Sequence, residues 1–472
     1  MQRTEIDTPQ THLPSSVLLA GAGVSGQGAA KLLAHVGAKV TIADDNHKNR
    51  DAVAAETGAR GVSTREAAAQ IDSFGLVVTS PGWRPDSPLL LAAARAGVEV
   101  IGDVELCYRL DRAGVFGSSR TWLVVTGTNG KTTTTGMLAA MMQQVGAREG
   151  FRAEACGNIG VALSDALLEE DRVDVLVAEL SSFQLHWSSQ LVPDAGVLLN
   201  LAEDHIDWHG SMAAYSADKA KVLKAPHAVA GIDDQLVAAL AAKADRGGAQ
   251  PVVGFTLRAP EAGQIGVENG VIVSRLGTQP VELASVEGIE PAGVAGVLDA
   301  LAAAAVAHLQ GARPGEIQAA LSSYRVGGHR GTVVHQRGGV TWVDNSKATN
   351  PHAANSALQG VGPVVWIAGG QLKGAEVDDV VREHAEKLRA VAILGVDRAI
   401  VSEAVSRHAP GTPVLVVDSK DPEKAMAQAV AFAAAQARPG DTVMLAPAAA
   451  SLDMFTGMAQ RGDFFAAAAM SQ

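Results

Sequence analysis

Leu123-Val-Val-Thr126-Gly127-Thr128-Asn129-Gly130-Lys131-Thr132-Thr133-Thr-Thr135 is the stretch from which the fold can be read. Trp122 to Val125 is apolar and rich in β-branched residues, as a short buried strand should be. From Lys131 to Val145 the apolar residues Met137, Leu138, Met141, Met142 and Val145 recur at helical spacing, and Gly146 is the expected stop. The residues between form a tight glycine loop running into a helix N-terminus. Such a loop gathers backbone N–H groups and a partial positive charge around one point. Lys131 adds a full charge able to reach terminal phosphates, and the Thr132 hydroxyl suits a magnesium ion. Two residues separate Gly127 from Gly130 where the standard P-loop has four, so the motif is a variant. An ordinary strand–turn–helix with a solvated lysine is the plainer alternative. The flanking context favours a loop that binds a nucleoside triphosphate.

The rest of the composition bounds the answer. A chain of 472 residues has room for about three domains. Its 47% apolar residues provide buried cores, and its net charge of −12 argues against nucleic acid as the main partner. Two cysteines, Cys107 and Cys156, are too few for a disulfide framework, which points to a reducing cytoplasm. The polar Met1–Pro14 stretch has no signal-peptide core, and runs such as Ala300–Ala307 are too short to insert in a membrane. A cytoplasmic protein is expected.

Strand–loop–helix units repeat along the chain. Val17–Ala20 leads into Gly21-Ala-Gly23-Val24-Ser25-Gly26 and a helix through Leu33, and Val40–Ala43 ends at Asp44-Asp45. This is the dinucleotide fingerprint, yet a UDP diphosphate would satisfy the loop as well as NAD. A third strand, Leu76–Thr79, runs into Ser80-Pro81-Gly82, where plain turn chemistry is an equal reading. Beyond the P-loop, Gly157-Asn158-Ile-Gly160 offers a second backbone cradle. Strands Val173–Ala178 and Gly196–Asn200 lead to Glu179 and to Glu203-Asp204-His205. In a parallel sheet ligands gather at the carboxyl ends of strands, so Thr132, Glu179 and His205 are candidate magnesium ligands. Lys219, Lys221 and Lys224 lie on one helical stretch, for which a solvated basic face is the usual meaning. Glu268-Asn269-Gly270 predicts a hairpin, and Val294–Leu309 an alanine-rich helix. Strands Thr341–Val343, Val364–Ala368, Ala390–Leu394, Val414–Val417 and Val443–Ala446 then carry three polar loops: Asp344–Asn350, Gly369–Gly374 and Pro447–Asp453. Converging on one sheet edge, these would make a binding edge.

Taken together, GTNGKTT at 127–133, GNIG at 157–160, ELSSFQL at 179–185, EDHID at 203–207, YSADK at 215–219, GHR at 328–330, DNSKATNP at 344–351, GGQLKGA at 369–375 and ASLDMF at 450–455 resemble the Mur ligases. These are ATP-dependent enzymes that add amino acids to the peptidoglycan precursor. SSFQL, SKATN and ASLD are similar to the members that add D-glutamate to UDP-N-acetylmuramoyl-L-alanine through an acyl phosphate. The resemblance implies an α/β protein of three domains: a Rossmann-like UDP-binding domain (1–104), a central P-loop ATPase-like domain (105–326) and a Rossmann-like C-terminal domain (327–472). ATP would be held by Gly127, Thr128, Asn129, Gly130, Lys131, Thr132, Thr133, Arg330 and Asn345. The UDP substrate would meet Val24, Ser25, Asp44, Asp45, Ser80, Gly82, Asn158 and Gln184. D-glutamate would meet Thr349, Lys373, Ser451, with the backbone after it at a helix start, and Leu452. The implied catalytic set is Lys131, Glu179, His205, Lys219 and Lys347, with Mg²⁺ on Thr132, Glu179, His205 and a carbamylated Lys219. A monomer without nucleic-acid or membrane partners is expected. The sequence departs from the family pattern at Ala295–Asp299, where an adenine-contacting His-Asn pair is usual, and at Met458, where an aromatic is usual. Other amino-acid-adding relatives, an NAD-linked oxidoreductase and a non-catalytic nucleotide-binding scaffold are the rival readings. Phosphate release from ATP against a panel of acceptors separates them.

Overall fold

The computed structural model describes residues 13–244, 250–359 and 361–472. They fold into two compact units. The first takes the described residues of Met1–Leu201, Ala213–Ile289 and Val297–Tyr324; the second takes Ala202–Met212, Glu290–Gly296 and Arg325–Gln472.

Two sheets make the first unit. β1 (Ser16–Ala20), β2 (Lys39–Ala43), β3 (Arg60–Val62), β4 (Leu76–Thr79) and β5 (Glu99–Gly102) are parallel in the order β3-β2-β1-β4-β5. Val17 to Ala20 are buried without alternation, as expected of a parallel strand covered on both faces. The order reverses beside β1, so the loops after β1 and β4 flank a crevice at the strand ends. The second sheet contains β6 (Thr121–Thr126), β7 (Ala153–Gly157), β8 (Val175–Glu179), β9 (Ala195–Leu198), β10 (His227–Gly231), β11 (Val253–Phe255), β12 (Gln264–Glu268), β13 (Val271–Ser274) and β14 (Val281–Ser285). Its order is β14-β13-β12-β11-β10-β9-β6-β8-β7, parallel from β7 to β12 and closed by an antiparallel meander. The hairpin at Asn269-Gly270 has positive φ at both residues, 52° and 78°, which matches a two-residue primed turn. The helices Lys131–Glu149 and Val294–Leu309 pack in the same core, Ala300 to Ala307 being almost wholly buried.

The helix Asp103–Arg112 runs on from β5 and binds the two sheets into one unit. Buried Asp111 accepts from Arg120 Nη1 at 2.9 Å and from Trp122 Nε1 at 3.0 Å. Breaking such a buried pair by removing one partner costs about 3–5 kcal/mol. Glu105, also buried, accepts from the backbone N–H groups of Gln190 and Leu191 at 2.9 and 3.1 Å.

The second unit contains β15 (Thr332–Arg337), β16 (Val340–Asp344), β17 (Val364–Gly369), β18 (Leu388–Leu394), β19 (Val414–Val416) and β20 (Thr442–Leu445). The order is β15-β16-β20-β17-β18-β19, with only β15 antiparallel to its neighbour. The loops after β16, β17 and β20 therefore leave the sheet at its one carboxyl edge.

Three expectations are corrected here. Gly146 does not stop its helix, which continues to Glu149 and ends on left-handed Gly150. Gly146 serves another purpose: a Cβ there would lie 2.3 Å from the Phe151 carbonyl, where the chain turns back over the helix. β8 begins at Val175 and not Val173, because Asp174 N–H donates to Arg152 O before the ladder starts. Ser451 does not open a helix either. Its carbonyl accepts from Met454 and Phe455 in a turn, and the helix begins only at Met458 after an extended Gly457.

Candidate active site

β6, β8 and β9 are neighbours, so the glycine loop, Glu179 and Asn200 meet at one edge of the second sheet. The loop is closed by its own surroundings. Gly127 and Gly130 take φ of 158° and 84°, and Asn129 N–H donates to Asn200 Oδ1 at 2.9 Å. Asn200 Nδ2 in turn donates to Asn129 O at 3.0 Å, and Thr128 Oγ1 bonds the Tyr215 hydroxyl at 2.9 Å. Lys131 Nζ curls back over the loop, donating to Gly127 O at 3.0 Å and Thr128 O at 2.8 Å. Thr132 and Lys131 are half-buried, while Thr133 is buried. Asp299, one of the departures from the family pattern, is buried beside the loop and accepts from Thr134 Oγ1 at 3.2 Å. The sequence places Asn200 only at a strand end and Asp299 only in the stretch that departs from the family pattern, and gives neither a role at the loop.

Glu179 is 2% exposed at the end of β8. Asn158 Nδ2 donates to its Oε1 at 2.8 Å, and Asn158 N–H donates to its carbonyl at 2.9 Å. This binds the GNIG loop to the strand end. Gly157 allows that approach, because a Cβ there would lie 2.5 Å from Glu179 O with φ at 97°. Glu179 Oε2 is buried without a hydrogen-bond partner among the described residues. A carboxylate oxygen left without a donor in such a place suits a divalent cation, which replaces the missing donors with charge. Lys219 corrects the solvated-face expectation: it is 2% exposed, and Nζ donates to Gly127 O at 2.7 Å and Thr126 Oγ1 at 3.3 Å. Gln184 is buried and spends its Oε1 on Ser181 N–H at 2.9 Å, closing a capping box on the helix Ser182–His186.

At the first sheet's crevice, Gly26 lies where a Cβ would fall 2.1 Å from Gly21 O, so the loop and helix touch backbone to backbone. Asp44 accepts from Ala22 N–H at 2.7 Å and Asn46 N–H at 2.8 Å, bracing the glycine loop. Asp45 accepts from Thr64 N–H and Oγ1, which lower its carboxyl below the usual range. Val24 is exposed, Ser25 half-buried, and a Cβ at Gly82 would meet nothing within 4 Å. Ser80 Oγ is buried without a partner among the described residues, close to Gly21. Asp103, which the motifs did not flag, takes a hydrogen bond from Ser25, and burial raises its carboxyl to about 6.

In the second unit Asp344 is buried and accepts from His329 Nδ1 at 2.6 Å and Ser346 N–H at 2.9 Å. A Cβ at Gly462 would come 2.0 Å from that histidine nitrogen. Arg461, wholly buried, donates to Ser346 Oγ at 3.0 Å, Ser346 O at 2.8 Å and Ala449 O at 3.0 Å. Burial lowers its guanidinium to about 10, an effect that Asp453 and Asp344 oppose. It fastens the loop bearing Asn345, Lys347 and Thr349 to the loop bearing Ser451. Gln371 and Ala450 exchange backbone hydrogen bonds at 2.9 Å, joining the Lys373 loop to the same edge. Lys373, at φ 56°, pairs with Asp204 at 3.6 Å, next to His205. Arg330, Asn345, Lys347 and Thr349 are half-buried, Ser451 is buried, and Leu452 is 73% exposed.

Three family models match in the order of the three sheets: Mur ligase MurD-like N-terminal domain (15–102), Mur ligase middle domain (125–307) and Mur ligase glutamate ligase domain (329–449). The UDP-N-acetylmuramoylalanine--D-glutamate ligase of Corynebacterium diphtheriae is 57% identical over 458 residues, 97% of this chain and 96% of that one. The chain belongs to the Mur ligase family. The protein of the same name from Corynebacterium efficiens is 54% identical over 472 residues, covering 99% of this chain and 98% of that one. Among solved structures, MurF from Acinetobacter baumannii shares the Mur ligase fold with a TM-score of 0.59. It is 14% identical, covering 97% of this chain and 93% of that chain. No helix among the described residues is long and apolar enough to cross a membrane.

Proposed function

We propose that the protein is an ATP-driven amide ligase that joins D-glutamate to UDP-N-acetylmuramoyl-L-alanine in peptidoglycan precursor synthesis, acting in the cytoplasm as a monomer. Residues 1–104 take the UDP end of the substrate, 105–326 the ATP and 327–472 the amino acid. The alanyl carboxylate oxygen attacks the γ-phosphorus of ATP, the bond from that phosphorus to the β-phosphate oxygen breaks, and ADP leaves. The neutral amine of D-glutamate then attacks the acyl carbon. Its tetrahedral adduct expels phosphate, and the nitrogen loses its proton.

The chain's own groups fit these steps. Lys131 and the loop N–H groups stabilise charge on the transferring phosphoryl group, in a cradle already fixed by Asn200 and Tyr215. Thr132, Glu179, His205 and Lys219 would hold Mg²⁺, which neutralises phosphate charge. Lys219 does so as a carbamate, made when its amine takes up carbon dioxide and releases a proton. A positive side chain beside the cation would be repelled, whereas the carbamate supplies the opposite charge. Asn345, Arg330 and Lys347 serve the ATP, and Thr349, Lys373 and Ser451 the acceptor carboxylates. The observation that supports the reading most is the buried Glu179 Oε2, without a donor among the described residues, at the strand end beside the P-loop strand.

The test is phosphate release from ATP with UDP-N-acetylmuramoyl-L-alanine and each amino acid in turn. Release that needs both the nucleotide and D-glutamate is expected. Release with another amino acid alone, or reduction of NAD, would replace the proposal. For Lys219, the Lys219→Ala variant should be inactive and regain activity with formate or acetate.

A further inference from the structure

We infer that Lys221 and Asp218 are positioning residues: they hold the helix Ser182–His186, and Gln184 with it, in fixed register with the nucleotide loop. The inference rests on the reading above that Gln184 meets the UDP substrate. That helix has five residues, too short to persist without outside support. Its N-terminus is closed by the Ser181–Gln184 capping box, in which Ser181 Oγ accepts from Gln184 N–H at 3.2 Å. Its C-terminus leaves carbonyls with no partner inside the helix. Trp187 N–H donates to Phe183 O at 3.4 Å, and Ser188 donates to Gln184 O through Oγ at 2.7 Å and to Leu185 O through N–H at 3.1 Å. Lys221 Nζ adds a charged donor to Leu185 O at 2.7 Å and reaches the last carbonyl, His186 O, at 3.1 Å. The same nitrogen pairs with Asp218 Oδ1 at 3.0 Å, and the other oxygen of Asp218 accepts from His186 Nδ1 at 2.8 Å.

Asp218 and Lys221 belong to the helix Met212–Ala220 and the turn Lys221–Lys224 that continues it. A different side of that helix meets the nucleotide loop, through Lys219 Nζ on Gly127 O and the Tyr215 hydroxyl on Thr128 Oγ1. One element therefore grips the P-loop with Tyr215 and Lys219, and the capped helix with Asp218 and Lys221. It is a strut between the loop that holds ATP and the helix that presents Gln184. Because Gln184 Oε1 is tied to Ser181 N–H, the side chain offers its Nε2 to a ligand, and only while the helix stays wound. Loosening the far end of so short a helix should unwind this geometry first.

The test pairs hydrogen exchange over residues 181–188 with steady-state kinetics for Lys221→Met, Asp218→Asn and Lys221→Arg. Lys221→Met should speed exchange of these amides at least tenfold. It should raise the KM for the UDP substrate about tenfold, the size of one charge-assisted hydrogen bond, with a much smaller change in the KM for ATP. Asp218→Asn, which keeps the shape and a bond to His186, should do the same more weakly, and Lys221→Arg should restore both. Unchanged protection in both Lys221→Met and Asp218→Asn would overturn the strut, and if Lys221→Met does not fold, Asp218→Asn alone decides. A loosened helix with an unchanged KM for the UDP substrate would overturn its link to substrate binding. Wild-type protein that shows no release dependent on the UDP substrate would count against the proposed function, while exchange still decides the strut.

Discussion

Gly130→Ala should damage the nucleotide loop in two ways that can be added. Gly130 takes φ 84° as the residue before the helix, and a left-handed backbone costs an L-residue about 1–2 kcal/mol. The new Cβ would also sit 2.2 Å from Asp299 Oδ1 and 3.2 Å from its Cγ. Asp299 is 6% exposed and holds Thr134, so it cannot swing away into solvent. Overpacking of this kind costs about 1–3 kcal/mol, giving roughly 2–5 kcal/mol in all. Gly23→Ala is the control, since Gly23 has φ −76° and nothing within 4 Å of a Cβ. Its cost should stay under about 1 kcal/mol. Urea unfolding followed by tryptophan fluorescence, together with the KM for ATP, measures both variants. Adding Asp299→Ala to Gly130→Ala should recover the overpacking share and leave the backbone share. A Gly130→Ala protein as stable as Gly23→Ala, with an unchanged KM for ATP, would refute this account of the loop.

Lys131→Met should lower phosphate release about 100-fold or more, while far-ultraviolet circular dichroism shows a folded protein. For Asp103 the folded carboxyl titrates near 6, above its ordinary 3.8, so the folded state binds the extra proton between those values. The ionised form is penalised in the fold above pH 6, and stability is gained as pH falls from there towards 4. Asp103→Asn should therefore melt higher than the wild type at pH 8 but not at pH 4, by no more than about 3 kcal/mol. Lys373→Ala should raise the KM for D-glutamate about tenfold to a hundredfold, with little change for ATP, in initial-rate assays.

What could be read from the sequence was what local pattern dictates. The strands beneath each polar loop are short apolar runs, and their ends place Glu179, Asn345 and Lys373 at sheet edges. Residues whose part at the loop goes unread act across long sequence separations. Asn200 clamps Asn129 and Asp299 bears on Gly130, and neither spacing leaves a periodic trace. Gly146 was misread because a glycine that permits a close chain crossing looks the same as one that ends a helix. Lys219 and Lys221 read as a solvated face because charge spacing says nothing about which carbonyls lie opposite. The turn at Ser451 was hidden for a related reason: its capping partners are local, but the start of the helix is set by extended Gly457 further on.

The most direct test of the central claim is phosphate release from ATP by the wild-type protein with UDP-N-acetylmuramoyl-L-alanine and either D- or L-glutamate. Two carboxylates and one attacking amine must be satisfied together, and the wrong enantiomer misplaces one of the three. Release with D-glutamate, matched by an equal amount of the amide product, and almost none with L-glutamate is the predicted result. Equal release with both enantiomers, or release that needs no nucleotide sugar, would contradict it.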